Sequence, residues 1–121
     1  MIRCLIREPK FPVICEAGVL IGATSLHDFS SQVDQLILPP DRNLPLVDVS
    51  SEGWVFNTKY RAVSPLTLKK HWTKKEVIAM YNGSDVARKL GGQYSERSLS
   101  AKRFDKILSD IVSLIRSANR E

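Results

Sequence analysis

Apolar and polar residues alternate from the start of the chain. Ile2, Cys4 and Ile6 interleave with Arg3, Leu5 and Arg7, and after Pro9-Lys10 the alternation resumes from Phe11 to Ala17. A period of two marks strands with one buried face, so the pattern predicts an N-terminal β-hairpin. With Pro9-Lys10 as the connection, Cys4 faces Cys15, Ile6 faces Val13 and Ile2 faces Ala17 on one side of the ribbon. On the other side Arg3 meets Glu16 and Leu5 meets Ile14. Both faces then hold compatible pairs, which is the condition that fixes a register.

The period then changes. Gly18 and Gly22 bracket an apolar run, after which Leu26, Phe29, Val33, Leu36 and Ile37 recur at helical spacing. Ser25 and Asp28 suit a helix N-terminus and Pro39-Pro40 stops it, so a helix is expected over 25–38. Residues 46–49 and 54–63 read as two strands joined through Ser50-Ser51-Glu52-Gly53. The second sets Trp54, Phe56, Thr58 and Tyr60 on one face and ends at Ser64-Pro65.

The back half carries helical signals. Thr73 and Glu76 have the spacing of a capping box, with Trp72 and Val77 placed as its hydrophobic staple, so a helix starts at Thr73 and runs to Tyr81. It stops at Asn82-Gly83. Ser84 or Asp85 caps a short helix through Leu90, with Gly91-Gly92 as its left-handed exit. A last helix, from near Leu99 to Ser117, puts Phe104, Ile107, Leu108, Ile111, Val112 and Ile115 on one stripe. The expected fold is α+β: a small antiparallel sheet, made of the N-terminal hairpin and a central hairpin, packed by about four helices. Residues 1–121 read as one domain, with 1–65 mainly strands plus one helix and 66–121 a basic helical part.

Composition narrows the class. The 121 residues are 43% hydrophobic and 26% charged, the range of chains that bury a core. No apolar run approaches the ~20 residues that span a bilayer. Arg3, Arg7, Glu8 and Lys10 interrupt the region where a signal-peptide core would lie, so no membrane association and a cytoplasmic location are expected. Two cysteines are too few for a disulfide framework, and reduced, inert thiols are expected even if Cys4 and Cys15 pair across the hairpin. Charge is uneven within the net +5: residues 1–58 hold four basic residues against seven acids, giving −3, and residues 59–121 hold fourteen against six, giving +8. A basic half points to an anionic partner, nucleic acid before membrane.

Catalytic chemistry has little to stand on. His27 and His71 are the only imidazoles, and neither lies in a metal-ligand or nucleophile spacing. No phosphate-binding glycine loop is present. No catalytic, metal or cofactor-binding residues are therefore assigned. Trp54, Phe56 and Tyr60 could stack on bases, but at alternate strand positions core packing is the commoner use. Val86-Ala87-Arg88-Lys89-Leu90-Gly91 resembles the opening of a helix-turn-helix, where a small residue precedes glycine by four positions. The apolar residue that motif places six positions after the glycine is Arg97 here, with Leu99 two places beyond.

The basic residues form the strongest constellation. Helix N-termini favour acids, yet Lys74 and Lys75 follow Thr73, and Arg97, Lys102, Arg103 and Lys106 crowd the start of the last helix. An anion bound there would reverse the cost of those charges. Lys69, Lys70, Arg88 and Lys89 extend the set. The expected function is a non-enzymatic binding module with a basic helical face for nucleic acid or another polyanion. The alternative is an interaction subunit whose basic face meets an acidic protein.

Overall fold

The computed structural model describes residues 2–66, 71–91 and 102–119. Along them run β1 (Arg3–Cys4), β2 (Val13–Glu16), β3 (Leu20–Ala23), α1 (Leu26–Asp34), β4 (Asn43–Asp48), β5 (Gly53–Asn57), β6 (Ala62–Pro65), α2 (Lys74–Asn82), α3 (Asp85–Leu90) and α4 (Phe104–Asn119). The strands form one sheet in the order β1-β6-β5-β4-β2-β3. Strand β1 is parallel to β6 and every other pair is antiparallel. The fold is α+β as expected, but the sheet is mixed and larger than two hairpins.

Alternation along the strands divides the core. Val13, Cys15, Ile21, Leu46, Trp54 and Phe56 point to the side where α1 contributes Phe29 and Val33. Ile14, Leu20 and Val47 point to the opposite side, under α2, α3 and α4. Helix α4 presents Ile107, Leu108, Ile111, Val112, Ile115 and Ala118, all buried, which is the apolar stripe its spacing predicts.

The N-terminal hairpin does not form. Arg3 and Cys4 pair with Ala62 and Val63, while Cys15 lies between Ile21 and Leu46. Four strand spacings, about 19 Å, separate the two cysteine strands. The alternation breaks at Ile6, where φ is 73° and Arg7 N donates to Leu5 O at 2.8 Å, a γ-turn that ends the strand. The chain then crosses to the far side of β4, pinned where Val49 N donates to Lys10 O at 3.2 Å. The true partner of β2 is β3, through a turn about Gly18 at φ 86°.

Two further boundaries move. Helix α1 is capped by Ser25 as expected but ends at Asp34, and Ile37 is fully exposed while Leu36 and Leu38 pack on the core. A residue preceding proline avoids the helical region, so the helix stops short of Pro39-Pro40. The predicted strand over 54–63 is two strands. Asn57 Oδ1 accepts from Tyr60 N at 2.9 Å, turning the chain so that Tyr60 lies 62% exposed instead of beside Trp54 and Phe56.

The Thr73 boundary holds. Thr73 Oγ1 accepts from Glu76 N at 3.2 Å and Glu76 Oε1 accepts from Thr73 N at 3.0 Å, and Trp72 and Val77 join the same apolar cluster. Replacing Thr73 with Ala should cost about 0.5–2 kcal/mol in urea-unfolding experiments. A midpoint that does not move would contradict the cap's role.

Candidate polyanion-binding surface

Helix α4 starts later than its sequence suggests. It begins at Phe104, with Ile107 N donating to the Arg103 carbonyl at 3.1 Å, so Lys102 and Arg103 precede it and Lys106 lies in its first turn. Burial of Ile107, Leu108 and Ile111 sets the rotation of the helix and leaves Lys106 and Asp110 neighbours one turn apart. Lys106 Nζ is 3.1 Å from one Asp110 oxygen, and Lys102 Nζ is 3.1 Å from the other. Arg103, 88% exposed in its side chain, lies 3.4 Å from Asp105. Three cations thus gather around two carboxylates. The dipole argument left these cations unmatched at a helix start, and the structure places Asp105 and Asp110 beside them.

The other predicted residues among those described lie on α2 and α3. Lys74, half-buried, and Lys75, exposed, occupy the first turn of α2 beside Glu76. Arg88 donates to Gly83 O at 3.2 Å, and Lys89 donates to Ala118 O at 2.7 Å, the lysine meeting a carbonyl at the C-terminal end of α4. Ala118 lies twelve residues beyond Lys106, about 18 Å along the helix. The structure therefore brings Lys102, Arg103 and Lys106 together and sets Lys89 at the opposite end of α4. Lys69, Lys70 and Arg97 lie outside the described residues, as does most of the segment after Gly91 that the helix-turn-helix reading needs.

A second polar assembly surrounds the β4–β5 turn. Asp48, with no exposed surface, accepts from Lys10 N, Ser50 N, Ser50 Oγ, Glu52 N and Trp54 Nε1 at 2.6–3.1 Å. Arg7 grips both Glu52 oxygens and lies 4.8 Å over the Trp54 ring. Its hydrogen bonds hold the Glu52 carboxyl below the ordinary range despite some burial. Ser51 Oγ lies 3.2 Å from His71 Nδ1, and Ser51 sits at φ 77°.

A serine next to a histidine at a strained position invites comparison with an activated nucleophile. The surrounding amides oppose that use. Ser50 N, Ser51 N and Glu52 N all donate to Asp48, and Trp72 N donates to Ser51 O. No donor of this turn is left to hold an oxyanion. The φ of Ser51 belongs to the turn itself, at the left-handed position that closes a hairpin of this length. The pair acts as a latch between the turn and the entry to α2.

Neither cysteine is set up to react. Cys15 is buried, and desolvation with the Glu16 charge pushes its thiol up; burial and then Glu8 act the same way on half-buried Cys4. Among the described residues no three His, Cys, Asp or Glu side chains converge as a metal site requires, and no helix is long and apolar enough to cross a membrane.

Comparison with protein-family models, curated proteins and solved structures gave no significant match.

Proposed function

We propose that this chain is a non-enzymatic binding module of the cell interior whose basic back half engages a polyanion, nucleic acid first, with Lys102, Arg103 and Lys106 at the centre of the contact. One observation carries the reading. Two ammonium groups converge at 3.1 Å on the two oxygens of a single carboxylate, Asp110, the arrangement a phosphate oxygen pair would also satisfy. Arg103 adds an exposed guanidinium whose pairing with Asp105 is loose enough for water and salt to compete.

Binding of this kind is set by counterion release, so it is insensitive to sequence and steep in salt. In fluorescence anisotropy with unrelated DNA and RNA oligonucleotides, log affinity should fall linearly with log salt. Changing Lys102, Arg103 and Lys106 together to Gln should weaken binding to all sequences alike and reduce the slope by about 2–3. If the unmodified chain binds neither nucleic acid below about 100 μM at low salt, the reading fails and an acidic protein becomes the partner to seek.

A further inference from the structure

The outer side of β3 opens onto a cleft of about 550 Å³, bounded by α1 on one side and by α3 and the end of α4 on the other. A bare sheet edge beside a cleft would suit an added peptide strand. Here three outward groups of the edge are taken: Leu20 N donates to Asp85 Oδ1 at 3.1 Å, Gly22 O accepts from Gln32 Nε2 at 2.8 Å, and Thr24 N donates to Asp28 Oδ2 at 2.9 Å. The side chains of Asp85, Gln32 and Asp28 thus occupy backbone groups that a partner strand would need. An added strand would have to displace these three bonds, whereas a small molecule in the cleft leaves them in place.

Its charges are arranged in alternation. Asp28 is saturated, accepting from Thr24, Gln32 and Arg116. Burial would raise its carboxyl, but the Thr24 amide, Gln32 and the Arg116 guanidinium outweigh that and hold it ionised below the ordinary range. Arg116 gives Asp28 one bond, at 2.5 Å, and has no other partner among the described residues, leaving further guanidinium donors of its planar fork. Asp85 gives one oxygen to Leu20 and keeps the other. Asp28 and Arg116 compensate each other, so Asp85 is the uncompensated charge and the open edge of Arg116 the unspent donor. A pure anion would face two carboxylates, and a pure cation would face the guanidinium. A ligand carrying both charges matches both.

We infer that this cleft binds a small zwitterion of the amino-acid class, its ammonium against Asp85, its carboxylate against Arg116 and an aliphatic side chain on Val19 and Leu36. Leucine is the probe, with 3-methylbutylamine lacking the carboxylate and 4-methylpentanoate lacking the ammonium. Binding is read on the full chain from amide shifts of Leu20 to Gly22 and the Gln32 carboxamide. Leucine should bind below about 10 mM, and each truncated analogue about tenfold or more weaker. Asp85→Asn retains an oxygen for the Leu20 amide, so the fold is kept. It should weaken leucine about tenfold and leave 4-methylpentanoate no weaker, while Arg116→Gln should weaken leucine and spare 3-methylbutylamine. Absence of leucine binding at 10 mM (about −2.7 kcal/mol), equal binding of the three compounds, or a loss in either variant that does not discriminate among them would overturn the assignment.

Discussion

Asp48→Ala should remove about 3–5 kcal/mol from the unfolding free energy, one of the largest effects of any single change in this chain. Five donors converge on the Asp48 carboxylate, which has no exposed surface: the amides of Lys10, Ser50 and Glu52, the Ser50 hydroxyl and the Trp54 indole. Alanine strands them, and the buried Trp54 indole has no water to turn to. The damage also spreads beyond the turn. Lys10 belongs to the segment that carries the chain from β1 across to β2, and Trp54 anchors the core beneath α1. Asp48→Asn retains one acceptor but sets an NH₂ against donors, and should lose about 1–3 kcal/mol. Urea unfolding at neutral pH separates the cases, and a loss below about 1 kcal/mol for Asp48→Ala would show that the donors find other partners.

The second large effect is expected at Gly22, where β3 passes beneath α4. A Cβ built there would lie 3.1 Å from Ile115 Cδ1 and 3.3 Å from Val112 Cα. The first neighbour is the end of a side chain and can rotate; the second is backbone and moves only with the helix. Gly22→Ala should therefore cost about 1–3 kcal/mol, and Gly22→Val more. Ile115→Val, which alone should cost about 0.5–1.5 kcal/mol, should cost less in the Gly22→Ala background because it removes the atom nearest the new methyl. Simple additivity of the two changes would show that α4 shifts as a body.

These positions also mark where the sequence was and was not legible. The Thr73 cap and the α4 stripe were read correctly because both depend on residues within a few turns of one another. Strand β1 was misread because its partner, β6, lies some sixty residues away and nothing in the alternation of Ile2 to Arg7 distinguishes a near partner from a distant one. Strand β3 was missed for a related reason: Gly22 looks like a boundary, but it is glycine because a helix crosses it closely. Asn57 carried a turn signal inside a run that otherwise read as one strand. At the candidate surface, Lys106 and Asp110 stand four apart and their pairing could have been read directly. Lys102 reaches the same carboxylate from outside the helix, a contact that spacing does not encode. The cleft beside β3 draws on Leu20, Asp28, Asp85 and Arg116, which only the folded chain brings together.

Asp110 offers the most direct test of the polyanion surface, because it is an acid whose removal should improve binding. Asp110→Asn takes away the carboxylate that Lys102 and Lys106 share and leaves two ammonium groups facing each other. The folded chain should lose a little stability, about 0.2–1 kcal/mol as for exposed pairs. Affinity for an unrelated DNA or RNA duplex at low salt should rise several-fold, and the gain should vanish when Lys102 and Lys106 are also changed to Gln. Binding that is unchanged or weaker in Asp110→Asn would contradict the placement of the anion at the start of α4.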